Sequence, residues 1–197
     1  MQEIRTPVLA DLDAVNQLII SNLESDVDLV ENIGHYIVDA GGKRLRPLLA
    51  LLSARLCGYT GNDHIKFAAV VEFIHTATLL HDDVVDISSL RRGRPTANAE
   101  FGNASSVLVG DFLYTRAFQL MVELGNLEIM QEMAGTTNMI AEGEVLQLVR
   151  AGNADTTQEQ YLDVITRKTA ILFSAACFGG GALAGMPALS TPLRQFG

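Results

Sequence analysis

The sequence is short of cysteine, proline and positive charge. Its two cysteines, Cys57 and Cys177, lie in apolar segments, which excludes a disulfide framework and indicates a reducing compartment, the cytoplasm. Lysines and arginines number 14 against 23 aspartates and glutamates, and the net charge is −9. Nucleic acid is therefore not an expected partner, because binding it requires a basic surface.

We also expect neither a signal peptide nor a transmembrane span. The N-terminus has no apolar core of the kind that a signal peptide needs. Residues 169–186 carry no charge, but they include a run of three glycines and have no aromatic belt at their flanks. We expect a buried core helix that bends or ends at these glycines, and no transmembrane span. Without a linker or repeat, residues 1–197 are expected to form a single domain.

Apolar residues recur with a helical period of about 3.6 along most of the chain, which predicts an all-α fold. A capping box formed by Thr157 and Gln160 marks the start of one helix. Helices that are apolar on several faces must pack around one another, so a helix bundle with its site between helices is expected. The predicted helices cover residues 10–21, 25–40, 46–56, 63–86, 104–124, 128–151, 157–179 and 190 onward.

Three aspartates, Asp82, Asp83 and Asp86, follow the apolar run at residues 70–80. On a helix Asp82 and Asp86 share a face, where unpaired like charges destabilise the helix by about 0.2–0.5 kcal/mol. A divalent cation reverses that effect. Carboxylate oxygens suit Mg²⁺, which takes its other ligands from water and substrate phosphates. The alternative interpretation is a solvated acidic helix end.

Two basic clusters flank these aspartates. The segment at residues 91–94 contains three arginines, whose guanidinium groups can grip phosphate oxygens in bidentate fashion. Lys43 and Arg46 lie upstream, after two glycines and before a proline, hence at a helix N-terminus that favours anions. Basic residues in surface turns are the alternative. Together the three clusters indicate a site for a diphosphate bridged by metal.

These motifs occur together in one enzyme family. The sequence resembles the trans-isoprenyl diphosphate synthases, or polyprenyl synthetases, and within them the bacterial octaprenyl branch. The segments that carry the resemblance are Gly-Gly-Lys-Arg-Leu-Arg-Pro at 41–47, His-Asp-Asp-Val-Val-Asp at 81–86, Arg-Arg-Gly at 91–93, Asn-Ala-Glu-Phe-Gly-Asn at 98–103, Gly-Glu-Val-Leu-Gln-Leu at 143–148 and Arg-Lys-Thr at 167–169.

The resemblance covers nearly the whole chain but not the whole family pattern. Family members carry a second aspartate-rich motif beyond a segment like residues 193–197, where this sequence stops. The chain therefore resembles the N-terminal part of a synthase, truncated before that motif. Alone it is expected to be inactive, because the second set of carboxylates that grips the metal cluster is absent.

The resemblance implies an antiparallel helix bundle of the isoprenoid synthase type, with a deep central cavity and helix-mediated homodimers. It also implies a Mg²⁺-dependent prenyltransferase. Such an enzyme condenses isopentenyl diphosphate with an allylic prenyl diphosphate, here farnesyl diphosphate. The expected product is a long-chain all-trans polyprenyl diphosphate with eight isoprene units, octaprenyl diphosphate, which serves quinone side chains in ubiquinone biosynthesis.

The family resemblance further implies a role for each matching residue. The Mg²⁺ ligands would be Asp82 and Asp86, with Asp83 as a supporting carboxylate. The allylic diphosphate would be held by Arg91, Lys168 and Thr169. Isopentenyl diphosphate, whose own diphosphate does not leave, would be bound by Lys43, Arg46, His75 and Arg92. Product length would be set by two small residues about one turn before the aspartates, Ala77 and Thr78.

Two other functions fit parts of the sequence. His81-Asp82 is an adjacent pair of the kind found in metal-dependent phosphohydrolases. That chemistry needs several histidines besides His81, and the sequence has four histidines in total. A site rich in imidazole also favours transition metals over Mg²⁺. Alternatively, the chain is a truncated, non-catalytic paralogue that serves as an interaction partner. A chain freed from catalysis, however, has no physical need for so much buried charge.

Overall fold

The computed structural model describes residues 2–197, which form eleven α-helices and one two-stranded hairpin. The all-α prediction is confirmed. A 3₁₀ turn covers Thr6–Val8 and a π-helical turn covers Thr166–Ala170. The elements in chain order are α1 Gln2–Arg5, α2 Leu9–Ser21, α3 Asp28–Asp39, α4 Leu45–Leu56, α5 Asp63–Val85, β1 Leu90–Arg91, β2 Arg94–Pro95, α6 Ala97–Phe101, α7 Asn103–Leu124, α8 Leu127–Arg150, α9 Gln158–Ile165, α10 Ile171–Leu183 and α11 Pro187–Phe196.

The chain divides into two compact units. The first consists of Met1–Leu48 and Ile65–Leu124, and the second of Leu49–His64 and Gly125–Gly197. The aspartate cluster and both basic clusters belong to the first unit. The Arg-Lys-Thr segment belongs to the second.

The first unit is built around α5. Phe67, Phe73 and Leu80 are at most 1% exposed, and every residue from 67 to 74 is buried. This stretch is therefore buried on all faces, as a helix in the interior of a protein must be. The one charged residue within it is Glu72.

A hairpin between α5 and α6 was not predicted from the periodicity. Its two strands pair Arg91 with Arg94. The connecting Arg92 and Gly93 have φ values of 54° and 78°, the left-handed values that both central positions of a type I′ turn require. The hydroxyl of Tyr36 donates to a carbonyl of β2 at 2.8 Å, which fixes the hairpin to α3.

In the second unit α10 packs against both α8 and α11. A Cβ on Gly180 would lie 2.5 Å from Ser53 Cβ and from Ala54 N. The backbones of α10 and the C-terminal part of α4 are therefore in direct contact. The uncharged segment forms a buried helix as predicted, and none of the helices in residues 2–197 is long and apolar enough to cross a membrane.

Three helix ends differ from the prediction by three residues or more, the first being the start of α3, which lies at Asp28 rather than at residue 25. The helix expected to bend or end at residues 179–181 runs through these glycines to Leu183, because tight packing compensates for their low helix propensity. The last helix begins at Pro187 rather than at residue 190, since proline is well suited to the first helical turn. The capping box that starts α9 is confirmed.

Gly180→Ala should lower the free energy of unfolding by about 1–3 kcal/mol, because the added methyl group overpacks the contact with α4. Gly135 is a matched control: it is also helical, but a Cβ there meets nothing within 4 Å. Gly135→Ala should raise stability by about 0.5–1 kcal/mol. Urea denaturation of the two variants measures both changes, and equal effects would contradict the close contact.

Candidate functional site

The aspartate cluster lies where α5 ends. The Asp86 N–H donates to the Asp82 carbonyl at 2.8 Å, so the helical turn continues past Val85 and the two aspartates share a face. Asp82 is half-buried and Asp86 is exposed. The next residue, Ile87, has a φ of 52°, which is rare for a β-branched residue and ends the helix.

Asp83 points elsewhere and is only 1% exposed. Its two oxygens accept hydrogen bonds from Arg91 Nε and Nη2, both at 2.8 Å, in a bidentate fork. The hydrogen bonds to Asp83 raise the pKa of Arg91, and the charges of Asp82 and Asp86 add to that effect. Asp83 therefore holds Arg91 in place, and the fork leaves Nη1 of the guanidinium outside the pair.

The two carboxylates that could hold a metal ion together are those of Asp82 and Asp86, which share a face, whereas Asp83 forms the fork with Arg91. Within residues 2–197 no three histidine, cysteine, aspartate or glutamate side chains gather closely enough to enclose a metal. Two carboxylates on a half-exposed helix end suit Mg²⁺, which keeps several waters and shares phosphate oxygens. The residues present therefore fit that ion better than one that needs a closed protein cage.

A cavity of about 420 Å³ collects the basic residues of the first unit. All four residues that the family resemblance assigns to isopentenyl diphosphate line it, so the structure brings them together. The lining residues are Gly42, Lys43, Arg44, Leu45, Arg46, Glu72, His75 and Arg92.

Sequence reasoning missed two residues of this cavity, Arg44 and Glu72. Glu72 is 6% exposed and accepts a hydrogen bond from Arg44 Nη1. Burial raises the pKa of Glu72, while the positive charges of Arg44, Arg46 and Arg92 act in the opposite direction. Arg44 adopts a left-handed φ of 48°. The sequence signal that could have identified Glu72 is its place as an acid inside an otherwise apolar run, because a buried carboxylate needs a charged or hydrogen-bonding partner.

His75 is the neutral member of the cavity. Burial and the charge of Arg46, followed by other guanidiniums, lower its pKa from 6.5 to about 3. Arg46 Nη1 lies 3.1 Å from His75 Nε2, and a guanidinium only donates, so Nε2 accepts and the hydrogen is on Nδ1. The unfolded histidine binds a proton below pH 6.5 and the folded one does not. This group therefore makes the fold less stable as the pH falls from 6.5 towards 3.

Lys168 and Thr169 lie in the π-helical turn of the second unit, a type of turn that is frequent at functional sites. Lys168 Nζ is 2.7 Å from Glu144 Oε2. Lys168 and Thr169 both line a largely apolar cavity of about 520 Å³. The turn lies close to α8 at Gly143, where a Cβ would be 3.0 Å from the Lys168 backbone nitrogen.

Ala77 and Thr78, which were predicted to set product length, and His81 lie on α5 before the aspartates. Ala77 is fully buried, and the Thr78 hydroxyl donates to the His75 carbonyl at 2.8 Å. His81 faces α7, where its Nε2 is 3.1 Å from the Val107 carbonyl oxygen. Because that oxygen can only accept, Nε2 carries a hydrogen. The phosphohydrolase interpretation requires several histidines and aspartates around the metal, and within residues 2–197 no three such side chains gather closely enough to hold one, which argues against it.

Comparison with known proteins gives consistent matches over this chain. Residues 27–197 match the polyprenyl synthetase family model. The chain is 54% identical to octaprenyl diphosphate synthase of Escherichia coli (strain K12), covering 100% of this chain and 61% of that protein. It is 50% identical to the all-trans-nonaprenyl-diphosphate synthase (geranyl-diphosphate specific) of Rhodobacter capsulatus, covering 99% and 60%. The chain thus spans about three fifths of the length of these relatives.

Solved structures give the same picture. A decaprenyl diphosphate synthase from Rhodobacter capsulatus matches with a TM-score of 0.96 and 50% identity, over 99% of this chain and 61% of that one. A polyprenyl synthase from Caulobacter crescentus CB15, complexed with calcium and isoprenyl diphosphate, matches with a TM-score of 0.97 and 47% identity, over 99% and 60%. The predicted isoprenoid synthase fold and the match to an N-terminal part are confirmed.

Glu72→Gln should lower the free energy of unfolding by about 3–5 kcal/mol, because it leaves buried guanidinium charge without its counter-charge. Added inorganic diphosphate should restore part of the loss by occupying the cavity. Thermal denaturation with and without diphosphate measures both effects.

Glu123→Gln is the control for this change. Its carboxylate pairs with Lys66 at 3.0 Å but is 58% exposed, so the loss should be no more than about 1 kcal/mol. Similar losses in the two variants, or no response of Glu72→Gln to diphosphate, would contradict the role given to Glu72.

Proposed function

Because the chain belongs to the polyprenyl synthetase family, we propose that the protein is a Mg²⁺-dependent trans-polyprenyl diphosphate synthase. It condenses isopentenyl diphosphate with an allylic prenyl diphosphate and releases a long-chain product. Three relatives are named as synthases of octaprenyl, nonaprenyl and decaprenyl diphosphate, and these names support a long-chain product.

The observation that carries this proposal is the division of basic residues within the first unit. One set, Lys43, Arg46 and Arg92, lines a cavity with Arg44 and the neutral His75. Arg91 instead lies among the aspartates. A condensation of two diphosphates needs this division, because the leaving diphosphate requires metal and the other requires only a cationic cradle.

Each residue contributes binding or orientation. Lys43, Arg46 and Arg92 hold the diphosphate of isopentenyl diphosphate, and His75 offers its Nδ1–H as a neutral donor. Arg91, held by Asp83, offers Nη1 to the allylic diphosphate. Asp82 and Asp86 would hold Mg²⁺, which would supply positive charge to offset the negative charge that develops on the departing diphosphate.

The finer assignments rest on the resemblance and the relatives. We propose that Lys168 and Thr169 contact the allylic diphosphate and that farnesyl diphosphate is the allylic substrate. The proposed product carries eight isoprene units and serves ubiquinone biosynthesis in the cytoplasm. The small side chains of Ala77 and Thr78 support a long product, because a bulky side chain at these positions would stop elongation early.

We also propose a homodimer that uses α7. Leu108, Phe118 and Val122 are 67%, 41% and 66% exposed. With Thr115, also exposed, they follow the spacing of a coiled-coil face. A second copy of the same helix is the natural occupant of such a stripe, because a twofold axis pairs identical surfaces.

Asp82→Ala and Asp86→Ala, made in the complete reading frame that contains this chain, should each lower kcat/KM about 100-fold or more, because neutralisation of the leaving diphosphate fails. Incorporation of labelled isopentenyl diphosphate onto farnesyl diphosphate, with Mg²⁺, measures the rate. Removal of Mg²⁺ with a chelator should abolish it.

Asp13→Ala is the control, since Asp13 is exposed on α2. A loss of kcat/KM below about tenfold in Asp82→Ala or Asp86→Ala, roughly 1.4 kcal/mol, would contradict the metal assignment.

Residues 1–197 alone should form no extended product. Sustained elongation by the 197-residue chain would contradict the requirement for a second carboxylate set.

Ala77→Phe should shift the products towards shorter chains, because the ring blocks the path of the tail one turn below the diphosphate. Ala77 is fully buried, so the larger side chain should also cost about 1–3 kcal/mol of stability. Thr78→Phe, at a half-buried position, provides a second test if the first variant folds poorly. Chromatography of the dephosphorylated products measures length. An unchanged distribution in a folded variant would refute the placement.

A further inference from the structure

Hydrogen bonds from three side chains tie the last two turns of α5 to the segment that follows. The Ser106 hydroxyl donates to the Leu80 carbonyl at 3.1 Å, and Asn98 Nδ2 to the Asp83 carbonyl at 3.3 Å. His81 makes the third contact, through its side chain. Of the tied residues, 81 and 83 are the immediate neighbours of Asp82 in the chain, and 80 lies two positions before it.

His81 contacts two acceptors on α7. Its Nε2 is 3.1 Å from the Val107 carbonyl oxygen and 3.3 Å from Asp111 Oδ1. Both groups accept, so a hydrogen must be on Nε2, and the contact with α7 sets the orientation of the ring. The imidazole is thus anchored outside the metal-binding face while its backbone leads directly into Asp82.

The opposite side of this contact is shaped to receive the ring. A Cβ on Gly110 would lie 2.3 Å from His81 Nε2 and 2.6 Å from its Cδ2. Glycine inside a helix is less stable than alanine, so its presence at Gly110 is explained by the space that the imidazole occupies. No larger residue fits unless the ring moves.

We propose that His81, seated on Gly110 and bonded to Val107 and Asp111, is a positioning residue that holds Asp82 in the geometry for binding a divalent cation. This inference rests on the proposed metal role of Asp82 and Asp86. Before a cation binds, like charges one turn apart repel each other at a helix end. The contacts to α7 keep that last turn formed, and ligand geometry held by supporting residues governs metal affinity.

The test uses the complete reading frame with Mn²⁺ as the probe, titrated in the presence of inorganic diphosphate and followed by electron paramagnetic resonance. His81→Leu removes the donor and Gly110→Ala displaces the ring. Each should weaken Mn²⁺ binding about tenfold and raise the Mg²⁺ concentration for half-maximal turnover by a similar factor. The KM for isopentenyl diphosphate should change less than about twofold, because the basic cavity is not altered.

Two variants separate positioning from general damage. His81→Gln places an amide N–H near the position of Nε2 and should recover most of the Mn²⁺ affinity. His35→Leu is the matched control: His35 also lies beside a carboxylate, at 4.0 Å, and its side chain is 35% exposed against 33% for His81. It should bind Mn²⁺ as the unmodified protein does.

Unchanged Mn²⁺ affinity in His81→Leu and Gly110→Ala would overturn the proposal. So would a His81→Gln variant as weak as His81→Leu, or parallel losses in Mn²⁺ affinity and in KM for isopentenyl diphosphate. The proposed reaction can fail separately: if the protein forms no prenyl product but His81→Leu still weakens Mn²⁺ binding, the positioning role stands. If Asp82→Ala leaves Mn²⁺ binding unchanged, both are wrong.

Discussion

The bidentate pair between Asp83 and Arg91 is the interaction on which the arrangement of the site depends. Asp83 is almost fully buried, and removal of either partner from a buried ion pair typically costs about 3–5 kcal/mol. The pair joins the hairpin to α5. Because the hairpin turn has only two residues, fixing Arg91 also fixes Arg92, whose Nη1 comes within 3.1 Å of a Cβ position on Gly42. The Asp83–Arg91 pair therefore fixes Arg91 beside the aspartates and Arg92 at the basic cavity.

The basic cavity shows how several positive charges can share a small volume. Glu72 supplies one buried negative charge, and His75 supplies a hydrogen-bonding ring that stays neutral because its pKa is about 3. A lysine or a protonated histidine at position 75 would add positive charge to a cavity whose described lining includes one acidic residue, Glu72. The cavity thus keeps an excess of positive charge that an incoming dianionic group can neutralise.

Much of the fold and part of the site could be predicted from the sequence. Helical periodicity located the long helices, and the i, i+4 spacing placed Asp82 and Asp86 on one face. The hairpin was missed because Arg92 adopts a left-handed φ that no local pattern indicates. Glu72 was missed because the sequence of an apolar run does not indicate which distant residue an acid within it will pair with, here Arg44. The π-helical turn has no sequence signature; it depends on packing of α8 against Lys168 through Gly143.

The left-handed conformations of Arg44 and Arg92 have a consequence for how this protein responds to selection. Each arginine occupies a backbone region that costs a non-glycine residue about 1–2 kcal/mol. Glycine at position 92 would relieve that strain while deleting a guanidinium, whereas glycine at position 44 would also leave the buried Glu72 without its partner. In a screen for heat resistance alone, the codon for Arg92 should therefore be among the first to drift, and the surviving clones would be stable but would have lost one positive charge from the basic cavity. Consensus or library design for this chain should keep position 92 fixed.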